Sequence, residues 1–188
     1  MFPTIRRSFI ALTILTVPAL AEEISVTLLP AQTQVTWTVA SALHTVHGTF
    51  QFKSGQLHFD TATGKASGQL VVDVPSGESG SEARDKRMHK EVLESAKYPE
   101  AVFTADKVSG QLAPAGPSKV EFHGTFKIHG AEHELTLPAS IDRNGNELKA
   151  SIEFSIPYVK WGMKDPSVVF LKVEKTVDMH VKTTVKLP

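Results

Sequence analysis

Eight histidines and no cysteine set the limits of the chemistry open to this chain. Without cysteine there are no disulfides, no thiolate nucleophile, no Cys-ligated metal site and no lipid-modified N-terminal cysteine. Histidine is the next place to look, as metal ligand or general base. His44 and His47 are three apart in His44-Thr45-Val46-His47, and on a strand that spacing sends two imidazoles to opposite faces. His129 and His133 flank a turn signal and could face each other. Zinc takes three or four ligands, and the spacing supplies no third one. Solvent-facing or rim histidines are therefore the plain reading, with no metal and no cofactor expected. A metal-binding stress protein and a His-assisted hydrolytic enzyme stay as the alternatives. No G-x-S-x-G, H-E-x-x-H or P-loop pattern orders the Ser, His and Asp residues into a reactive set. The remaining charged constellation is Arg84-Asp85 with His89 one turn on. It either meets a polar group of a ligand or is an exposed first-turn pair.

That constellation sits in the stretch 79–99, the one part of the chain that reads as a helix, about 80–95. Ser79 with Glu82 three residues on has capping-box spacing. Glu82/Lys86, Arg87/Glu91 and Lys90/Glu94 are oppositely charged at i,i+4. Met88, Val92 and Ala96 share a face, with Leu93 beside them, and Tyr98-Pro99 ends the run.

Around this helix the chain alternates apolar and polar with period two, the mark of half-buried strands. Val35, Trp37 and Val39 lead; Phe50 and Phe52 continue, with Leu57 and Phe59 placed after a Ser54-Gly55 turn. The second half reads most clearly at Val120 to Ile128, at Leu135 to Ile141 after a Gly130-Ala131 turn, and at Leu148 to Ile156 after Asn144-Gly145. About eight antiparallel strands of this kind close into a barrel or pack as a sandwich. Gly48, Gly68 and Gly124 fall on the apolar face. They either leave room inside a barrel or relieve crowding in a packed core. An insertion at 157–166 carries Trp161, which reads as a hydrophobic plug at a barrel end or as a ligand contact.

Residues 1–21 have a positive start at Arg6-Arg7, a short apolar run and Ala19-Leu20-Ala21, a cleavable signal peptide. Export to the periplasm follows, with 22–188 as a single domain. Removing Arg6 and Arg7 leaves 18 basic against 20 acidic residues. That balance favours neither nucleic acid nor an anionic membrane as partner. The mature chain is expected as a monomer or homodimer that does not span a membrane.

Taken in order, the V-x-W-x-V strand, the G-x-F strand, the R-D-x-x-M-H helix ending in Y-P, the second G-x-F hairpin and the late W-G-x-K loop carry a resemblance. The chain resembles the YceI-like family of periplasmic polyisoprenoid-binding proteins, most specifically at 35–59, 84–99 and 158–166. The resemblance implies an all-β, antiparallel lipocalin-like barrel with one inserted α-helix and an isoprenoid-type lipid, polyprenyl or quinone-like, held lengthwise in the lumen without chemistry. The lumen positions it implies are Trp37, Val39, Phe50, Phe52, Leu57, Phe59, Leu70, Val72, Phe103, Phe126, Leu137, Ile152 and Phe154. His44, Arg84, Asp85, His89 and Trp161 would stand at the rim. Two positions depart from the family pattern. His44 stands where a small hydroxyl residue is expected, and His133 where a basic or neutral one is usual.

Overall fold

The computed structural model describes residues 23–187; the signal peptide expected at 1–21 lies outside them. Nine strands form one antiparallel sheet: β1 (Ile24–Leu28), β2 (Thr33–Ala40), β3 (Thr45–Asp60), β4 (Lys65–Glu78), β5 (Glu100–Gly110), β6 (Gly116–Ile128), β7 (Ala131–Asn144), β8 (Glu147–Ile156) and β9 (Val177–Lys186). The order β3-β2-β9-β8-β7-β6-β5-β4, with β4 paired back to β3, closes a barrel. β1 and β2 pair with successive halves of β3, Ile24 opposite Phe59 and Val35 opposite Phe50. A 3₁₀ turn at Pro30–Gln32 joins them, so the two act as one broken strand and the barrel has eight staves. The sandwich is excluded, because β4 pairs back to β3; β1 alone stays at an end of the strand order, paired to β3 only.

Alternation dictates which side chains face in, as the pattern BeBeB along β1 shows. Continuity of the strands departs from expectation. Ser54-Gly55 is no turn; β3 runs through it for 16 residues and bends at register shifts at Thr49/Gln51 and Phe52/Ser54. A bulge turns the chain without ending the ladder, which composition alone does not distinguish from a loop. The β6–β7 turn has its apex one residue early, at His129 (φ 51°) and Gly130 (φ 78°), the two positive angles of a hairpin turn. Asn144-Gly145 does begin the β7–β8 hairpin, with Asn144 opposite Glu147.

The helix is shorter and less regular than expected. α1 spans Glu82–Arg87 and continues as a π-helical turn, Met88–Val92, where the Leu93 amide donates to the Met88 carbonyl at 2.9 Å. Ser79 does not cap it; Ser81 is the N-cap and makes no side-chain capping bond. Of the three expected pairs only Arg87–Glu91 forms, at 3.5 Å, and Glu94 turns instead toward His129. Ala96, expected on the apolar face, is exposed because the helix has already ended.

One end of the barrel is filled. Val108 and Val120 are each 1% exposed, and Phe59 packs edge-on against Phe122 at 5.1 Å. Gly48 relieves crowding rather than leaving room: a Cβ there would lie 2.2 Å from the Trp37 ring.

Candidate functional site

The other end is hollow. A cavity of about 310 Å³ occupies it, walled by β2, the start of β3, the end of β4, and the ends of β6 and β8 facing the start of β9. The helix closes one side with Met88, Val92 and Leu93, and the 157–176 connection closes another with Tyr158, Met163, Leu171 and Val173. The π-helical turn matters here. Its extra residue per turn brings Met88, Val92 and Leu93 onto the cavity together, and Val92 is buried there.

Of the implied lumen residues, Trp37, Val39, Phe50, Val72, Phe126 and Phe154 line this cavity. Phe52, Leu57, Phe59, Phe103, Leu137 and Ile152 are buried in the filled end, and Leu70 packs against them half-buried. The side chains from the helix and from 157–176 were outside the implied set. For the helix, the apolar face at Met88 and Val92 was a legible signal. For Leu171 and Val173 there was none, since their placement depends on a loop folding back over the mouth.

Polar groups collect at the opening: Ser41, His44, Arg84 and Arg87 are the polar side chains there, and no carboxylate lines the cavity. Arg84 is held in place. Its Nε donates to the Ser79 hydroxyl at 2.7 Å and its Nη2 to the Ser79 carbonyl at 2.8 Å. The Ser79 hydroxyl in turn donates to Asp85. Burial would raise the Asp85 carboxyl, but the Ser79 hydrogen bonds and the Arg84 charge outweigh it and leave the pKa below the ordinary value. Asp85 therefore anchors the helix start and does not face the cavity. His89 is also a structural tie, with Nε2 2.7 Å from the Gly77 carbonyl and Nδ1 3.0 Å from the Ser95 hydroxyl.

The histidines that could have met across the turn go to separate partners. His133 stacks flat on Trp161, centroids 4.0 Å apart and planes within 4°. His129 packs on the Tyr98 ring at 4.7 Å. Its Nε2 lies 2.7 Å from a Glu94 oxygen without hydrogen-bond geometry, so that contact is one of proximity only. Among the described residues no group of three or more His, Asp or Glu side chains is placed to hold a metal ion. Trp161 does not line the cavity; between His133 and Phe126, at 6.1 Å from the latter, it pins the loop to the barrel wall. Trp37 does line it, 5% exposed, with an indole N–H that has no partner. A broad polar depression over the outer ends of β6 to β9, near Lys119, Ser140 and Lys182, is larger but open to solvent.

Tyr158 secures the loop by donating its hydroxyl to the Glu174 carbonyl at 2.7 Å. Burial, with the charges of Asp165 and Glu174 behind it, pushes the phenol up to about 12. An unfolded tyrosine ionises near ~10. The stabilisation is thus complete below the unfolded value and is lost as pH rises through the folded one. We expect the melting temperature to fall more steeply between those two pH values in the parent than in Tyr158→Phe. Parallel curves would remove Tyr158 as the cause.

A closed antiparallel barrel with an apolar chamber at one end is the architecture of small-ligand carriers of the lipocalin type. The YceI-like domain model matches residues 27–185, and the chain belongs to that family. Solved structures agree in fold. BcnA of Burkholderia cenocepacia superposes with TM-score 0.68 at 21% identity, over 84% of this chain and 98% of that one. A polyisoprenoid binding domain from Saccharophagus degradans gives 0.66 at 17%, over 89% and 100%. The YCEI protein of Campylobacter jejuni gives 0.61 at 17%, over 75% and 84%. No curated protein matches the chain.

Proposed function

We propose that this protein is a periplasmic carrier that holds an isoprenoid-type lipid in the hollow half of its barrel and performs no chemistry on it. The apolar chamber, with two arginines and no carboxylate in its lining, carries the reading. Each isoprene unit has five carbons, worth roughly 4 kcal/mol of gross transfer free energy at about 0.8 kcal/mol per carbon. A few units offset an association cost of roughly 4–15 kcal/mol. The chamber's volume is at the lower end of the ~300–1,000 Å³ typical of small-ligand sites. A short tail, or the head-proximal units of a long one, fits that space with the filled end of the barrel left intact. Arg84 and Arg87 favour a polar or anionic head at the mouth, and an oxygen of the ligand would satisfy the Trp37 N–H. The family resemblance and the polyisoprenoid binding described for the Saccharophagus domain point the same way. Residues 1–21 act as a cleaved signal peptide in this reading, leaving 22–188 as one domain, a monomer or homodimer.

The test is mass spectrometry of an organic extract of the mature protein, purified from its own periplasm without detergent. A stoichiometric prenyl lipid or quinone is the expected result. An empty extract from folded protein, together with failure to take up a polyprenyl phosphate added in solution, would overturn the proposal.

A further inference from the structure

Large apolar side chains are seldom left exposed on this protein, and where they are, they cluster. Among the described residues Leu43 (76% exposed), Val168 (47%), Val169 (80%) and Phe170 (94%) belong to two segments that hydrogen-bond to each other, and Leu29 is the remaining case. The Ala42 amide donates to the Lys172 carbonyl and the Glu174 amide to the Ala40 carbonyl, each at 2.9 Å. Ser41 bridges Val173.

The second segment is a built finger. Val168 and Leu171 exchange backbone hydrogen bonds of 2.9 and 3.1 Å, leaving Val169-Phe170 as a two-residue apex. The stem is pinned where the Val173 amide donates to the Ser167 hydroxyl at 3.0 Å and the Ser167 amide to Asp165 at 2.8 Å. Tight turns select Gly, Asn, Asp, Pro or Ser at such an apex, each for a conformational reason. Valine and phenylalanine there satisfy no turn requirement, so their use lies outside the fold.

We propose that this finger inserts into an anionic lipid bilayer and seats the mouth of the barrel on its surface. Leu171 and Val173 run from the finger directly into the cavity wall, so an inserted apex places the opening against lipid. Charge at the mouth fits the same surface. Lys172 follows the apex, its charge shared only with Asp165. Arg84 and Arg87 line an opening whose own lining holds no carboxylate, although Glu91 lies 3.5 Å from Arg87 on the outer side of the helix. Asp165 and Glu174 flank the stem; Asp165 is opposed by Lys175 at 3.9 Å, and Lys164 is engaged by Glu91. Apolar tips ringed by lysine bind membranes by burying the tip at the acyl boundary and attracting anionic headgroups. A protein partner is the weaker fit, because a two-residue apex offers little of the roughly 800 Å² per side used by stable interfaces. The overall charge balance argued against such a surface, but the balance is an average over the chain and this end is not average. The inference deepens the carrier reading, since its cargo would reside in such a bilayer.

The absence of cysteine makes the test direct. Phe170→Cys and Ala62→Cys, the latter in the β3–β4 turn at the opposite barrel end, are each labelled with an environment-sensitive nitrobenzoxadiazole dye. They are mixed with vesicles of phosphatidylethanolamine and phosphatidylglycerol containing no prenyl lipid. The label at 170 should shift to the blue and that at 62 should not. Val169→Asp/Phe170→Asp should reduce vesicle co-sedimentation at least about tenfold, from the transfer free energy of two apolar side chains. Lys172→Glu should weaken docking and lessen its salt dependence. No shift at 170, equal shifts at both sites, or a lipid-free dimer abolished by the double aspartate variant would overturn the proposal. Uptake of a soluble polyprenyl phosphate, measured beside it, separates the two ideas. Docking without uptake sinks the carrier alone, and uptake without docking sinks the finger alone.

Discussion

Phe154→Glu should abolish uptake of a polyprenyl phosphate while leaving a folded barrel. Phe154 is only half-buried, lines the chamber, and meets Phe126 edge-on at 6.4 Å. A carboxylate on that wall must either lose its hydration to an apolar tail or hold water where the tail should lie. Both outcomes cost several kcal/mol, and every 1.4 kcal/mol is about tenfold in affinity. We expect a loss of at least about 100-fold. Phe126→Glu should act likewise, with more damage to stability because Phe126 is 7% exposed. Lys90→Ala, on the solvent side of the helix, should bind as the parent does. Phe154→Leu keeps the wall apolar and should retain most of the affinity. Binding by folded Phe154→Glu equal to the parent's would remove the chamber as the site.

Gly68→Ala should be the most damaging conservative change in the barrel. Gly68 has φ +111°, a conformation that L-residues rarely adopt, and a Cβ there would lie 2.0 Å from the Gln56 carbonyl oxygen across the β3–β4 ladder. The obstacle is backbone, which cannot swing aside as a side chain can. It sits where the β4–β5 register shifts between Lys65 and Gln69, at the bend that lets β4 curve round. Strained dihedrals cost roughly 1–3 kcal/mol, and the overlap adds to that. Summed at about 3 kcal/mol or more, the melting temperature should fall by ~10 °C for a domain of this size. Gly80→Ala is the control: its φ is also positive, but no atom lies within 4 Å of the added Cβ, so it should lose clearly less. Equal losses would mean that dihedral strain alone, not close strand approach, sets the cost.

The helix shows where local patterns reach their limit. Ser79 and Glu82 have capping-box spacing, yet Ser79 is used by Arg84 and Asp85. The same residue types that satisfy backbone donors also satisfy side chains, and the choice depends on where the preceding strand ends. The break into a π-helical turn at Met88 is likewise decided by the cavity wall that Met88, Val92 and Leu93 must meet, since nothing in the i,i+4 charge pattern marks it. His129 and His133 flank a turn, as their spacing says. Their partners Tyr98 and Trp161 arrive from segments distant in the chain.

By itself the amino-acid sequence determined an antiparallel β fold with one inserted helix and which side chains point inward; alternation left barrel and sandwich open, and only the resemblance to the YceI-like family implied the barrel. Period-two alternation is a property of the extended backbone and needs no partner to be read. It carries no information about depth. Phe59 and Phe154 are both inward aromatic residues on strands; one packs edge-on in the filled end and the other borders a chamber. Whether inward side chains meet or leave a gap depends on the distance to the opposite wall and on what closes the end. Only the tertiary structure settles those, through strand bends at bulges, the helix at one side, and a connection that folds over the mouth and leaves Phe170 in solvent.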